Sequence, residues 1–304
     1  VELSKTPESS IDDNLNFTRQ DFLLLTKARL SLLVIITTVF GYLLALKSYG
    51  YSMEWWKLFH TVIGSALAAA AASVFNQLME IDIDAKMERT AARPLPSKKI
   101  KPAVAFIIGW MLAACGIIHL GVMVNSQASA FAAATLFTYM FIYTPMKRRS
   151  GSNTLVGAVS GALPPLIGWA AADGEISFVQ PWFLFGLLFL WQLPHFIAIN
   201  WMYRKQYEDA GFVMWSNGDE SGKRTSLLAI IFSVLLLLLM LVPLFYGFVN
   251  VWAIVGLVLA TGVMVKYSIN FSKSRLRKDA RGLFLYTLIF LPVSLVLLFL
   301  GWNS

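Results

Sequence analysis

Apolar runs close to the length of a bilayer crossing recur from one end of this chain to the other, and no other feature limits its fold so tightly. A helix needs about 20 apolar residues to cross the hydrocarbon core. Backbone in lipid must satisfy its own hydrogen bonds, which leaves only helices and closed barrels. A barrel would show short segments of apolar-polar alternation, and none is found here. Nine runs fall at roughly 22–46, 55–79, 103–124, 128–145, 153–172, 181–202, 226–249, 251–270 and 282–301. They predict an all-α polytopic membrane protein, a nine-transmembrane-helix bundle. Residues 1–21 read as a polar tail rich in Ser, Asp and Asn, and 22–304 as a single membrane domain. The first run is too long for the core of a signal peptide and is expected to remain as a span. Cys115 is the only cysteine, so an intrachain disulfide or a cysteine-cluster metal site is excluded.

The net charge of +8 raises nucleic acid as a partner, but the distribution of charge argues against it. With the N-terminus in the cytoplasm and nine crossings, only Lys47 and Lys57 fall on the outer side. The other 23 of the 25 Lys and Arg then face inward, as the positive-inside rule requires. The basic balance is a record of topology, and no nucleic acid is expected. The reading places the protein in a bacterial cytoplasmic membrane, with the C-terminus outside.

The outer loops are short, whereas the inner segments 80–102, 203–225 and 271–281 are longer and carry the charge. Two of them follow spans four helices apart, an arrangement that lets both close over one cavity. In "NQLMEIDIDAKMERTAARPLPSKKI" (76–100), Asn76, Glu80 and Asp84 recur every four residues. On a continuing helix they form one stripe drifting about 40° per step and rising about 6 Å. Carboxylate and amide oxygens at that spacing suit Mg2+, which takes a few protein oxygens and completes its shell with water and substrate phosphate. Glu88 extends the stripe, while Asp82, Lys86 and Arg89 form a second, mixed-charge one. Solvated ion pairs at a helix end are the plain alternative. Ionisable groups at a membrane edge are costly enough to point to function instead.

Basic residues supply the other half of a diphosphate site. Lys86, Arg89 and Arg93 follow the stripe, and Lys147, Arg148 and Arg149 end the fourth span. Arg forks match phosphate oxygens and Lys adds point charge, although the 147–149 run also serves as a topological anchor. The second inner loop, "WQLPHFIAINWMYRKQYEDAGF" (191–212), adds His195, Arg204, Tyr207, Glu208 and Asp209. A lone His among apolar and aromatic neighbours is commonly a packing residue, and exposed loop carboxylates are commonly just solvated. Pro164 and Pro165 in "GALPPLIGW" (161–169) predict a kink, which either packs helices closely or widens a cavity.

"NQLMEIDIDAKMERTAARPL" resembles the first aspartate-rich motif of the UbiA superfamily of intramembrane prenyltransferases. "DIDxKMxRTxxRPL" is similar to its protohaem IX farnesyltransferase (haem O synthase) branch in particular. "YTPMKRRSGSNTLVGAVSGALPPLIGWAAADG" and "WQLPHFIAINWMYRKQYEDAGFVM" resemble signatures of the same branch. The resemblance covers roughly residues 22 to 225 in ordered blocks. It implies a cavity opening laterally to lipid, Mg2+-dependent chemistry, and farnesyl diphosphate and haem B as substrates. Carried over by position, Asn76, Glu80 and Asp84 match the metal-diphosphate motif, with Lys86, Arg89 and Arg93 facing phosphate. Glu80 stands where the family commonly has Asp, which keeps the ligand type on a longer arm. Gln206 stands where an acid usually precedes Tyr207, so Glu208 or Asp209 would have to substitute in the second motif. A haem A synthase or terminal oxidase assembly is implied as the downstream partner.

On this reading the diphosphate ionises against Mg2+ and the basic residues. The farnesyl cation, shielded in the apolar bundle, is attacked by a haem vinyl group, and water completes the product. Arg148, Arg149 and Arg204 are candidate propionate partners, and His195 is a candidate for iron or a propionate. Two rivals stand beside it. A relative that prenylates a quinone-precursor aromatic acid shares the stripe but needs a different acceptor pocket. A non-catalytic haem or lipid transporter predicts paired broken helices and internal repeats, and it gives no reason for an acidic stripe.

Overall fold

The computed structural model describes residues 17–303, apart from the side chains of Arg29 and Leu30. The expected tail thus lies largely outside the described residues. Its last part, together with the start of the expected first span, instead forms a separate short helix, α1 (Arg19–Leu25). Thr18 and Asp21 close a capping box at its start, and Lys99 reaches Asp21 at 2.8 Å. The chain then breaks at Lys27, whose φ of 47° lies in the left-handed region. The first crossing is α2 (Ala28–Tyr49).

The order continues with α3 (Trp55–Met79), the four-residue α4 (Ile81–Asp84), α5 (Pro102–Met123) and α6 (Ser126–Phe137). A π-helical turn (Thr138–Tyr143) joins α6 to α7 (Thr144–Met146). Then come α8 (Asn153–Ala162), α9 (Pro164–Ala171), α10 (Val179–Met202), α11 (Arg204–Ala210), α12 (Lys223–Leu239), α13 (Val242–Tyr246), α14 (Val251–Ser274) and α15 (Arg277–Gly301). Eight stretches of the described residues are helical, long and apolar enough to cross a membrane. The fourth of the nine expected spans is helical from Ser126 to Met146, but the π turn divides it. Pro145 has no N–H for the carbonyl four residues back, and the Thr144 amide bonds to Tyr139, five residues back.

The span 153–171 is the centre of the bundle: 78% of its apolar stretch is buried, against 28% for α5 at the rim. Pro164 opens α9 and bends this span. Its contact with α2 is backbone on backbone. A Cβ at Gly168 would collide with the Thr38 carbonyl, and one at Gly41 with the Pro165 carbonyl. Only glycine permits that approach. At one end of the bundle the two long charged loops meet: Ile83 and Met87 pack with Ala210, Phe212 and Met214, and Tyr207 leans on the cluster. The Val213 amide donates to the Lys147 carbonyl at 2.7 Å, which pins the second loop to the end of the fourth span.

Candidate functional site

The acidic stripe survives a break in its helix. α3 ends at Met79, and Glu80, with φ −114° and ψ 13°, leaves helical geometry for one residue. The Asp84 amide still donates to the Glu80 carbonyl at 2.7 Å, so α4 resumes almost in phase. Asn76, Glu80 and Asp84 are 2%, 4% and 2% exposed and line one cavity. Buried carboxylates need partners, and each has one. Lys147 Nζ lies 2.7 Å from Glu80 Oε1 and 3.1 Å from Asn76 Oδ1. Asn76 Nδ2 donates to Glu80 Oε2 at 2.7 Å, and Arg93 Nη1 donates to Asp84 Oδ2 at 2.5 Å. Thr90 Oγ1 donates to the Asp84 carbonyl at 2.8 Å and closes the loop between them.

Several members of this cavity escape a reading by helical periodicity. Tyr139 and Tyr143 are brought to it by the π turn, their ring centroids 5.3 Å apart. The Tyr139 hydroxyl donates to Asn76 Oδ1 at 2.9 Å, and Lys147 Nζ sits 4.5 Å from the Tyr143 ring centroid. Burial opposes the Lys147 charge, but Tyr143 and Glu80 beside it hold the ammonium above the usual lysine range. Lys27, at the break between α1 and α2, also lines the cavity. Burial, and then the charges of Arg93 and Lys147, lower its pKa to about 7. Asn153, Thr154 and Asn200 complete the wall, and Asn200 Nδ2 is buried with no protein partner. The tyrosines carry a signal in hindsight, because Pro145 forces the preceding turn to open. Lys27 carries none in the apolar pattern.

The polar cavity measures about 310 Å3 and adjoins an apolar one of about 330 Å3. Lys27, Tyr139, Tyr143 and Phe196 line both. The apolar cavity lies at membrane depth between Ala68, Ala69 and Ala72 of α3, Ala132 and Leu136 of α6, and Gly157, Gly161 and Pro164 of the kinked span. The bent span thus does both: it packs closely on α2, and Pro164 lines the apolar cavity.

Of the residues singled out in the sequence, Asn76, Glu80, Asp84, Arg89, Arg93, Lys147, His195 and Tyr207 line the polar cavity. Burial raises the Tyr207 phenol's pKa. Lys86, Arg148, Arg149, Arg204, Glu208 and Asp209 do not line it. Lys86, Arg149, Glu208 and Asp209 are exposed. Arg148, also exposed, donates to the Met79 carbonyl at 3.1 Å. The Arg204 guanidinium stacks over Trp201 at 4.1 Å. α11 turns Tyr207 inward and leaves its acids in solvent, so among the described residues no second acidic motif reaches the cavity. Among the described residues no three His, Cys, Asp or Glu side chains converge as a metal site.

The family model described as "UbiA prenyltransferase family" matches residues 34–299. The chain belongs to the UbiA prenyltransferase family. A protoheme IX farnesyltransferase from Opitutus terrae is 39% identical to this UbiA chain over 96% of each sequence. Among solved structures, one of a digeranylgeranylglyceryl phosphate synthase aligns with TM-score 0.78 at 18% identity, covering 93% of this chain and 97% of that one. A UbiA homolog from Archaeoglobus fulgidus, bound to GPP and Mg2+, aligns with TM-score 0.63 at 12% identity, covering 91% and 99%. The UbiA fold is thus shared well beyond close relatives, and the chain is an integral membrane prenyltransferase.

Proposed function

We propose that the chain transfers the farnesyl group of farnesyl diphosphate to a vinyl group of haem B, with addition of water, to give haem O. The observation that carries this is the joined pair of cavities. One is charged and sits at the membrane edge; the other is apolar and sits at membrane depth. A prenyl diphosphate has the same division between head and tail. The acceptor follows from relatives named protoheme IX farnesyltransferase over nearly the whole chain.

Mg2+ fits the donor set. Asn76, Glu80 and Asp84 offer hard oxygens at one cavity wall, and an ion with so few protein ligands takes the rest from diphosphate and water. When bound, it supplies positive charge for the leaving diphosphate. Arg89, Arg93, Lys147 and Lys27 are the cations that this chain adds around the same cavity, stabilising charge as the carbon–oxygen bond breaks. The faces of Tyr139 and Tyr143, at the junction of the two cavities, stabilise an allylic cation. The alanine and glycine walls behind them keep water from the farnesyl chain. The vinyl group forms the new carbon–carbon bond, water adds to the cation left beside the porphyrin, and its proton is released.

The test is mass analysis of haem after incubating purified protein with haem B, farnesyl diphosphate and Mg2+. Haem heavier by farnesyl plus water, absent without Mg2+ and in Glu80→Ala/Asp84→Ala, is the expected result. Unchanged haem beside a prenylated aromatic acid overturns the acceptor, and no transfer to either overturns the reaction.

A further inference from the structure

His195 is the one cavity residue whose tautomer its neighbours decide. Its Nδ1 lies 2.8 Å from Thr287 Oγ1. The same hydroxyl donates to the Phe284 carbonyl at 2.6 Å, three residues back in α15. A carbonyl only accepts, so the single hydroxyl proton is committed there and Oγ1 is left to accept from the ring. Nδ1 therefore carries the imidazole proton, and Nε2 holds a bare lone pair. Among the described residues Nε2 has no hydrogen-bond partner, and it is not among the buried atoms sealed off without one. His195 lines the polar cavity.

The ring is also held in place. Trp191 stacks on it at 5.5 Å with an interplanar angle of 26°, and the Phe284 ring lies 5.0 Å from it at 35°. Trp191 Nε1 donates to the Thr287 carbonyl at 2.8 Å, so α10 and α15 are tied at this level by two hydrogen bonds that share one residue. A histidine kept only for packing would have both nitrogens satisfied or covered. This one has a fixed orientation, a second nitrogen anchored to a hydroxyl, and a free lone pair at a cavity. Ligating histidines show that arrangement, since donation from the far nitrogen sets the tautomer and raises basicity.

Resting on the haem B reading above, we propose that His195 Nε2 is the axial ligand to the iron of the haem B acceptor. Thr287 is the positioning residue that maintains the ligating tautomer. The bond is dative, from the imidazole lone pair to iron, and changes neither oxidation state nor protonation. Imidazole is an established axial partner of haem iron. Ligation at 195 also anchors the porphyrin beside Phe196, which lines both cavities, next to the junction where the prenyl cation forms.

Haem B titrated into purified protein in detergent, followed by absorption and electron paramagnetic resonance, tests the assignment against empty micelles. The wild type is expected to give an imidazole-ligated iron spectrum. His195→Ala should lose it, and added free imidazole should restore it. Thr287→Ser should match the wild type, and Thr287→Val should weaken haem affinity on the order of 10-fold. An unchanged spectrum in His195→Ala overturns the proposal, as does a loss that imidazole fails to restore. Farnesyl transfer is measured by mass on the same samples. Wild type that farnesylates haem with a spectrum indifferent to residue 195 defeats the ligand assignment alone. Wild type that takes up no haem and makes no farnesylated product defeats the acceptor reading beneath it.

Discussion

Lys147 and Glu80, 67 residues apart in the chain, meet at 2.7 Å with both side chains almost wholly buried. The pair joins the end of the fourth span to the end of the second. Removing one member of a buried pair leaves an uncompensated charge, at a cost of about 3–5 kcal/mol. Lys147→Met is therefore expected to lower thermal stability in detergent by that order and to abolish transfer. The double variant Lys147→Met/Glu80→Leu should regain most of the stability and none of the activity. Thermal unfolding and product mass, measured on both variants, check this.

Asp84→Asn keeps the shape of the side chain and removes the charge that faces Arg93. Loss of one charge-stabilising group from a preorganised site costs on the order of 10²–10³ in kcat. Turnover measured across a Mg2+ titration should fall by that factor and should not recover at saturating Mg2+.

Lys27 provides a pH dependence. Its folded pKa of about 7 lies below the ordinary lysine value of 10.5. Between those two values the unfolded chain holds a proton that the folded protein has released, so this residue makes stability rise as pH climbs from about 7 to 10.5. Diphosphate calls for the charged ammonium, so pyrophosphate affinity should fall as pH rises through 7. Calorimetric binding of pyrophosphate across pH 6–9 is expected to lose most of this dependence in Lys27→Met.

The apolar cavity sets which chain fits. Ala69 forms part of its wall, and Ala69→Leu takes up space in the cavity. A single methylene in an apolar pocket is worth about 1–3 kcal/mol of discrimination, and this substitution adds three carbons. The ratio of kcat/KM for farnesyl over geranyl diphosphate is expected to drop by at least about 10-fold, with the geranyl value nearly unchanged.

What the sequence made legible follows from which signals are periodic. Apolar length located the spans, since lipid imposes it on every crossing. Four-residue spacing placed Asn76, Glu80 and Asp84 together even though the helix breaks at Glu80, because the hydrogen bond to Asp84 restores the phase. Tyr139 and Tyr143 were out of reach because a π turn changes the rotation per residue on which any helical wheel depends. Lys27 owes its position to a single left-handed residue. Glu208 and Asp209 failed for a different reason. A short, evenly polar helix has no pattern that tells its inward face from its outward one, and here Tyr207 took the inward place.

The proline-bent span has a further consequence for kinetics. It lines the apolar cavity at membrane depth, with the charged cavity at the rim, and on the proposed function the farnesyl donor is expected to arrive, and the farnesylated product to depart, within the plane of the bilayer. The quantity that drives encounter is then the number of substrate molecules per unit area of membrane rather than per volume of solution. Diluting the bilayer with inert lipid should slow the reaction at constant total substrate, and diluting the aqueous phase should leave it unchanged.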